Sequence, residues 1–221
     1  MEQHLPFLRS LPLFRGIAEP EILCLLRSLD ASELRFAKRE ILWEPIRRVP
    51  YLCVVVEGCF QIAQEDWQGN RSIIDSFAPG NFIGESPGSM EGLQPFYFMV
   101  KAGTTAIVFS SAADLLDPPE EMRGAHKVFL RNLLDTLVRK EMRLLYKIEC
   151  LSCRTTREKL MRYLNIQAAE QGSRTVTMDF TRQELADYLC VDRSAMCTEL
   201  TRMQRDGLIR CEKRAFELLG D

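Results

Sequence analysis

Histidine is nearly missing from this sequence: 221 residues contain two, His4 and His126. A β-barrel metal enzyme needs clustered histidines and carboxylates, so the gap between those two positions argues against one. It also leaves few axial ligands for a haem. No Ser/His/Asp constellation and no glycine-rich phosphate loop stand out, and no catalytic role is expected. Long apolar runs are absent too. None approaches the roughly 18 residues of a membrane span. Met1 to Phe14 lacks a basic segment followed by an apolar one, so no signal peptide and a cytoplasmic location are expected. Excess positive charge is also lacking, because the net charge is −2. Any contact with nucleic acid would therefore use a local basic patch rather than a uniformly cationic surface. Finally, no arginine occurs between Arg71 and Arg123.

What is present suits a folded chain of two domains, with 46% hydrophobic and 27% charged residues. Eight cysteines in such a chain are expected to be reduced thiols. Three regions differ in periodicity. From Ile41 to Phe109 the chain reads as short strands divided by turns. Tyr51 to Val56 is β-rich and ends at Glu57-Gly58, and Cys59 to Ala63 resumes. Trp67-Gln-Gly-Asn70 looks like a hairpin turn, Ser72 to Phe77 follows, and Pro79-Gly80 breaks again. Val100-Lys101 and Thr104 to Phe109 complete the set. An antiparallel sandwich or barrel is implied. Glu19 to Ser28 ahead of it is helical in pattern.

Pro119 to Leu151 reads as one long helix. Leu130, Leu137, Leu144 and Leu151 recur every seven residues, and Leu133, Leu134, Leu145 and Ile148 widen the stripe. Such a repeat suits a seam between two copies of the helix, or packing on its own domain, or both in turn. Lys140 and Lys147 interrupt it. Leu151 to Arg154 is the expected hinge, and a further helix runs from Thr156 to a stop at Gln171-Gly172.

Thr181-Arg-Gln-Glu184 is a capping box, which starts a helix with Leu185, Ala186 and Leu189 inward. Cys190-Val191 turns the chain, and Asp192 can cap a second helix burying Met196, Leu200 and Met203. This is a helix-turn-helix. Gly207 ends it, and Leu208 to Leu219 reads as a hairpin, or wing, with Lys213 and Arg214 at its tip. A helical hairpin that touches no DNA is the plainer reading of the same pattern. On the DNA-reading alternative, Arg193, Ser194 and Thr198 face outward to meet base edges in the major groove, with Cys197 a fourth candidate. Thr181, Arg182, Gln183, Lys213 and Arg214 are placed to meet phosphates of double-stranded DNA.

The run from Thr181 to Met196, followed by Leu200 and Gly207-Leu-Ile209, resembles the DNA-binding domain of the Crp/Fnr superfamily of bacterial transcription regulators. Pro79-Gly-Asn-Phe-Ile-Gly-Glu85 resembles a turn and strand of that family's effector cassette, and the long helix resembles its dimerisation helix. The resemblance spans nearly the whole chain. It implies an α+β protein with an N-terminal double-stranded β-helix (jelly-roll) domain over 1–118. A dimerisation helix and hinge would follow over 119–152, and a winged helix-turn-helix over 153–221. It implies a homodimer on a two-fold DNA site, regulated by an effector, with RNA polymerase as a further partner. Two departures stand out. Cys190 occupies a turn position usually held by glycine, where φ is positive. Thr198 stands where an arginine is frequent.

The effector half of the resemblance is incomplete. Cyclic-nucleotide binders of the family place a Gly-Glu pair on the ribose, here Gly84-Glu85. An Arg-Ser or Arg-Thr pair then meets the phosphate, and Phe96-Tyr97, or Pro95-Phe96 if there is no insertion, falls there instead. Without the arginine a buried phosphate would be uncompensated. The expected signal is therefore a small molecule or redox change other than cyclic AMP. Alternatively, Phe96, Tyr97 and Phe98 fill the site and nothing binds. Cys24, Cys53 and Cys59 do not form an iron–sulfur set. Cys150-Leu-Ser-Cys153 could offer thiols for zinc or redox chemistry, or be structural. No cofactor and no metal site are expected. A cupin-type metal enzyme and a non-DNA-binding adaptor are the competing functions.

Overall fold

The computed structural model describes residues 2–42, 52–83, 96–109 and 120–219. These residues contain two compact units. One comprises Met1–Gln68 with Ile74–Lys140, and the other comprises Gly69–Ile73 with Glu141–Asp221. Among the described residues no helix is long and apolar enough to cross a membrane.

The first unit opens with α1 (Leu5–Ser10) and α2 (Glu19–Ser28). Among the described residues a sheet of six strands follows: β1 (Ala31–Phe36), β2 (Ile41–Leu42), β3 (Leu52–Glu65), β4 (Arg71–Phe77, whose first three residues are grouped with the second unit), β5 (Phe82–Ile83) and β6 (Tyr97–Phe109). Their order is β1-β6-β3-β4, with β2 on β6 and β5 on β3. The β3 run is apolar at consecutive positions because both of its faces are covered. Cys53 and Val55 join Phe36, Phe60, Phe77, Phe98 and Val108 in one cluster. Val54 and Val56 join Leu25, Ile107, Phe109 and Phe129 in another, formed with the helices.

The breaks expected at Glu57-Gly58 and at Ala102-Gly103 do not end strands. β3 and β6 run through them for 14 and 13 residues. The ladder between them shifts register between Val55 and Phe60, so the turn-like residues mark bulges. Asp66 accepts a hydrogen bond from the Gln68 amide, and the hairpin turns with Trp67 90% exposed.

The long helix α3 (Arg123–Ser152) buries Ala125, Phe129 and Leu133 in its early turns. Phe129 meets the rings of Phe14 and Phe109 at 5.6 and 6.4 Å. Asn132 donates to the carbonyls of Leu13 and Arg15. These turns therefore pack on their own unit. Further along, the apolar face lies open, with Leu134 63%, Val138 58% and Ile148 58% exposed. Leu137, Met142 and Leu145 share that exposure. Of the heptad leucines, Leu137 belongs to this open stripe, while Leu130, Leu144 and Leu151 are half-buried.

The second unit contains α4 (Thr156–Gln171), β7 (Thr175–Thr177), α5 (Arg182–Leu189), α6 (Arg193–Arg205), β8 (Ile209–Glu212) and β9 (Ala215–Leu218). The strands pair antiparallel in the order β7-β9-β8. Thr155 caps α4 by accepting from the Glu158 amide, while Glu158 accepts from the amide of Thr155. These hydrogen bonds hold the Glu158 carboxyl below the usual range. Gly172 ends the helix in the left-handed region. Leu160, Leu164, Leu185, Leu189, Met196, Leu200, Met203 and Phe216 form the core.

Candidate nucleic-acid interface

The reciprocal capping at the start of α5 is formed. Thr181 Oγ1 accepts from the Glu184 amide at 3.2 Å, and Glu184 Oε2 accepts from the Thr181 amide at 2.7 Å. Both bonds satisfy amides that a helix start leaves without partners. At the other end Cys190 adopts φ 52° and ψ 54°, the left-handed conformation. The chain thus makes the turn glycine would favour, without glycine. Asp192 Oδ1 then accepts from the Ala195 amide at 2.7 Å and caps α6.

α6 is divided by its own periodicity. Met196, Leu200 and Met203 are buried, while Arg193, Ser194 and Thr198 are exposed and Cys197 is half-buried. The three exposed side chains lie in the N-terminal half of the helix. Thr198 Oγ1 donates to the Ser194 carbonyl at 3.0 Å, which leaves its oxygen lone pairs outward.

The other expected contacts are less uniform. Thr181 and Gln183 are exposed, as are Lys213 and Arg214 at the β8–β9 turn. Gln183 donates its amide to Asp187 at 2.7 Å. Arg182 is half-buried and committed to the wing. It donates to Cys211 Sγ at 2.5 Å and to the Lys213 carbonyl at 3.2 Å, and its guanidinium lies 4.5 Å from the Phe216 ring centroid. Packing of the wing is thus the role its geometry displays.

A groove of about 620 Å³ beside α6 was not foreseen from sequence. It joins Thr155, Thr156 and Arg157 at the start of α4 to Ala195, Thr198 and Arg202. Arg157 pairs with Glu199 at 2.5 Å and Asp206 at 2.8 Å, and these carboxylates raise its pKa. No sequence pattern announces a pairing between positions so far apart.

Of the effector-pocket residues, Gly84 and Glu85 lie outside the described residues. Phe96 is on the border of exposure, and Tyr97 is buried with its hydroxyl donating to Glu65 at 2.9 Å. Phe98 packs in the sheet interior. All eight cysteines are free. Burial pushes the Cys53 thiol up to about 12 and the Cys150 thiol up to about 11. Cys150 belongs to the core of the second unit, and Cys153 donates to the Glu149 carbonyl.

Two capped helices across a tight turn, an outward polar face and a basic-tipped hairpin define a winged helix-turn-helix DNA-binding protein. Residues 158–219 match the Crp-like helix-turn-helix domain. The chain is 25% identical over 210 residues to the nitrogen fixation regulation protein FixK of Bradyrhizobium diazoefficiens, covering 87% of this chain and 84% of that protein. It is 26% identical over 199 residues to the transcriptional activator protein FnrL of Cereibacter sphaeroides, covering 84% and 75%. Its fold is similar to that of the c-di-GMP-responsive global regulator CLP of Xanthomonas campestris. That match has a TM-score of 0.66 at 18% identity and covers 92% of this chain and all of the other. This chain thus carries a Crp-like helix-turn-helix domain and is similar along most of its length to transcription regulators of the Crp/Fnr type.

Proposed function

We propose that this regulator binds a two-fold DNA site as a homodimer in the cytoplasm, with α6 in the major groove. The exposed Arg193, Ser194 and Thr198 over a buried apolar back carry this reading. Arg193 can donate two hydrogen bonds to guanine, and Ser194, Cys197 and Thr198 meet neighbouring base edges. Thr181, Gln183, Lys213 and Arg214 contact phosphates. Arg182 contributes by holding the wing. The open stripe from Leu134 to Ile148 is the seam on which two copies of α3 meet, with Leu130, Leu144 and Leu151 at its margins. The division into 1–118, 119–152 and 153–221 follows from these roles. RNA polymerase is the partner implied by the activator among the relatives.

The signal differs from cyclic AMP. A cyclic phosphate buried in the sheet domain would need a cation, and the segment between Arg71 and Arg123 has no arginine to serve. The structurally similar c-di-GMP-responsive regulator belongs to the same fold at low identity, so architecture alone does not select an effector. The test is selection of duplexes from a randomised pool by the purified protein, followed by footprinting. Two half-sites about one helical turn apart are expected. Binding that ignores sequence would refute the proposal.

A further inference from the structure

β4 begins with Arg71, Ser72 and Ile73, which belong to the same compact unit as the helix-turn-helix. Arg71 donates through Nε at 2.8 Å and Nη2 at 2.6 Å to Oδ2 of Asp187 on α5. The other oxygen, Oδ1, accepts from the Gln183 amide. Ser72 Oγ lies 3.5 Å from the Cys190 thiol. The Ile73 carbonyl accepts from the Lys147 ammonium, which sits 4.6 Å from the centroid of the Tyr188 ring. All three strand residues therefore meet α5, its C-terminal turn, or a side chain packed against it.

Asp187 has an electrostatic problem that its position makes acute. Its side chain is 8% exposed, so its charge has lost most of its water. A carboxylate so buried needs a cation or full hydrogen bonding. It also lies one turn from Gln183, on a helix proposed to approach phosphates. Uncompensated, it would repel them. Arg71 answers both demands by neutralising Oδ2 while Oδ1 stays available to Gln183. The Gln183 amide carries two hydrogens. With one held by Asp187, the other can be directed to a phosphate oxygen.

We propose that Arg71, outside the helix-turn-helix in sequence, is a positioning residue for DNA binding that acts through Asp187 on Gln183. The proposal rests on the reading of Gln183 as a phosphate contact. It couples the start of β4 to the affinity of the reading module.

The test compares wild type with Arg71→Met, Gln183→Ala, Asp187→Asn and the pairs Arg71→Met/Gln183→Ala and Arg71→Met/Asp187→Asn. Binding is measured by fluorescence anisotropy on a duplex selected by the wild-type protein. Arg71→Met is expected to weaken binding about tenfold. Gln183→Ala should also weaken it, and their combination should lose little beyond the larger single loss. Arg71→Met/Asp187→Asn should recover most of the affinity, since a neutral amide needs no cation. Wild-type affinity for Arg71→Met, or losses that add in full with Gln183→Ala, would overturn the coupling. A silent Gln183→Ala would instead overturn the phosphate contact and, with it, the route through that residue. A second measurement needs no DNA: the urea midpoints of the same variants. Arg71→Met should lower the midpoint and adding Asp187→Asn should recover part of that loss, whereas losses that add in full would overturn the contact.

Discussion

Gly58 and Gly103 approach so closely that a Cβ on Gly58 would lie 2.3 Å from the Gly103 carbonyl oxygen. It would also lie 2.5 Å from Thr104 Oγ1. Gly58 holds φ +82°, where side chains are disfavoured. Thr104 Oγ1 accepts from the Cys59 amide at 3.0 Å and donates to the Ala102 carbonyl at 2.7 Å, so the bulge is stitched from both strands. Gly58→Ala is expected to destabilise the first unit by about 2 kcal/mol or more, combining left-handed strain with the clash. Urea denaturation followed by circular dichroism measures this. Unchanged stability would mean that the bulge can open at little cost.

Cys190 presents the opposite case. It adopts the left-handed conformation with a side chain attached. Cys190→Gly should remove strain of about 1 kcal/mol, offset in part by glycine's greater freedom when unfolded. Cys190→Val should destabilise, because β-branching resists this conformation. Equal midpoints for the two variants would contradict the strain argument.

Arg193→Ala should weaken binding to a selected operator by about 1–3 kcal/mol and hardly change binding to random duplex. Lys213→Ala should weaken both and lower the salt slope by about one. Titrations on the two duplexes across a salt series separate these effects. Equal losses on both duplexes for Arg193→Ala would reclassify it as a phosphate contact.

Replacing Leu134 or Ile148 with glutamate should dissociate the proposed dimer by placing charge in an apolar seam. Both side chains are exposed in the single chain, so folding of the subunit should survive. Sedimentation equilibrium reads the mass. A variant that remains dimeric would move the seam elsewhere.

The buried thiols predict a pattern in pH. Cys150, ordinarily near 9, is raised to about 11 by burial. The folded state thus favours the protonated thiol. The stability contribution is fully present below the unfolded value near 9 and is lost as pH rises to about 11. At about pH 8, alkylation should modify the exposed Cys24 and Cys190 while Cys53 and Cys150 stay protected. Rapid modification of Cys150 would contradict its place in the core.

The helix-turn-helix was readable because its signals are local. Thr181 with Glu184, Asp192 with Ala195, and the spacing of Met196, Leu200 and Met203 all lie within a few residues of each other. Backbone geometry converts such spacing directly into caps and faces. The strands at Gly58 and Gly103 were harder, because a turn and a bulge use the same residues. Only the pairing of β3 with β6 distinguishes them.

By itself, the sequence determined the reading module and the placement of Arg193, Ser194 and Thr198 on its outer face. It also determined the long amphipathic helix. Tertiary structure decided which leucines of that helix were covered, and it committed Arg182 to Cys211 and Phe216. It also set Arg71 against Asp187, 116 positions away. Caps and helical faces follow from neighbours along the chain. Burial and ion pairing follow from neighbours in space, which no short sequence window contains.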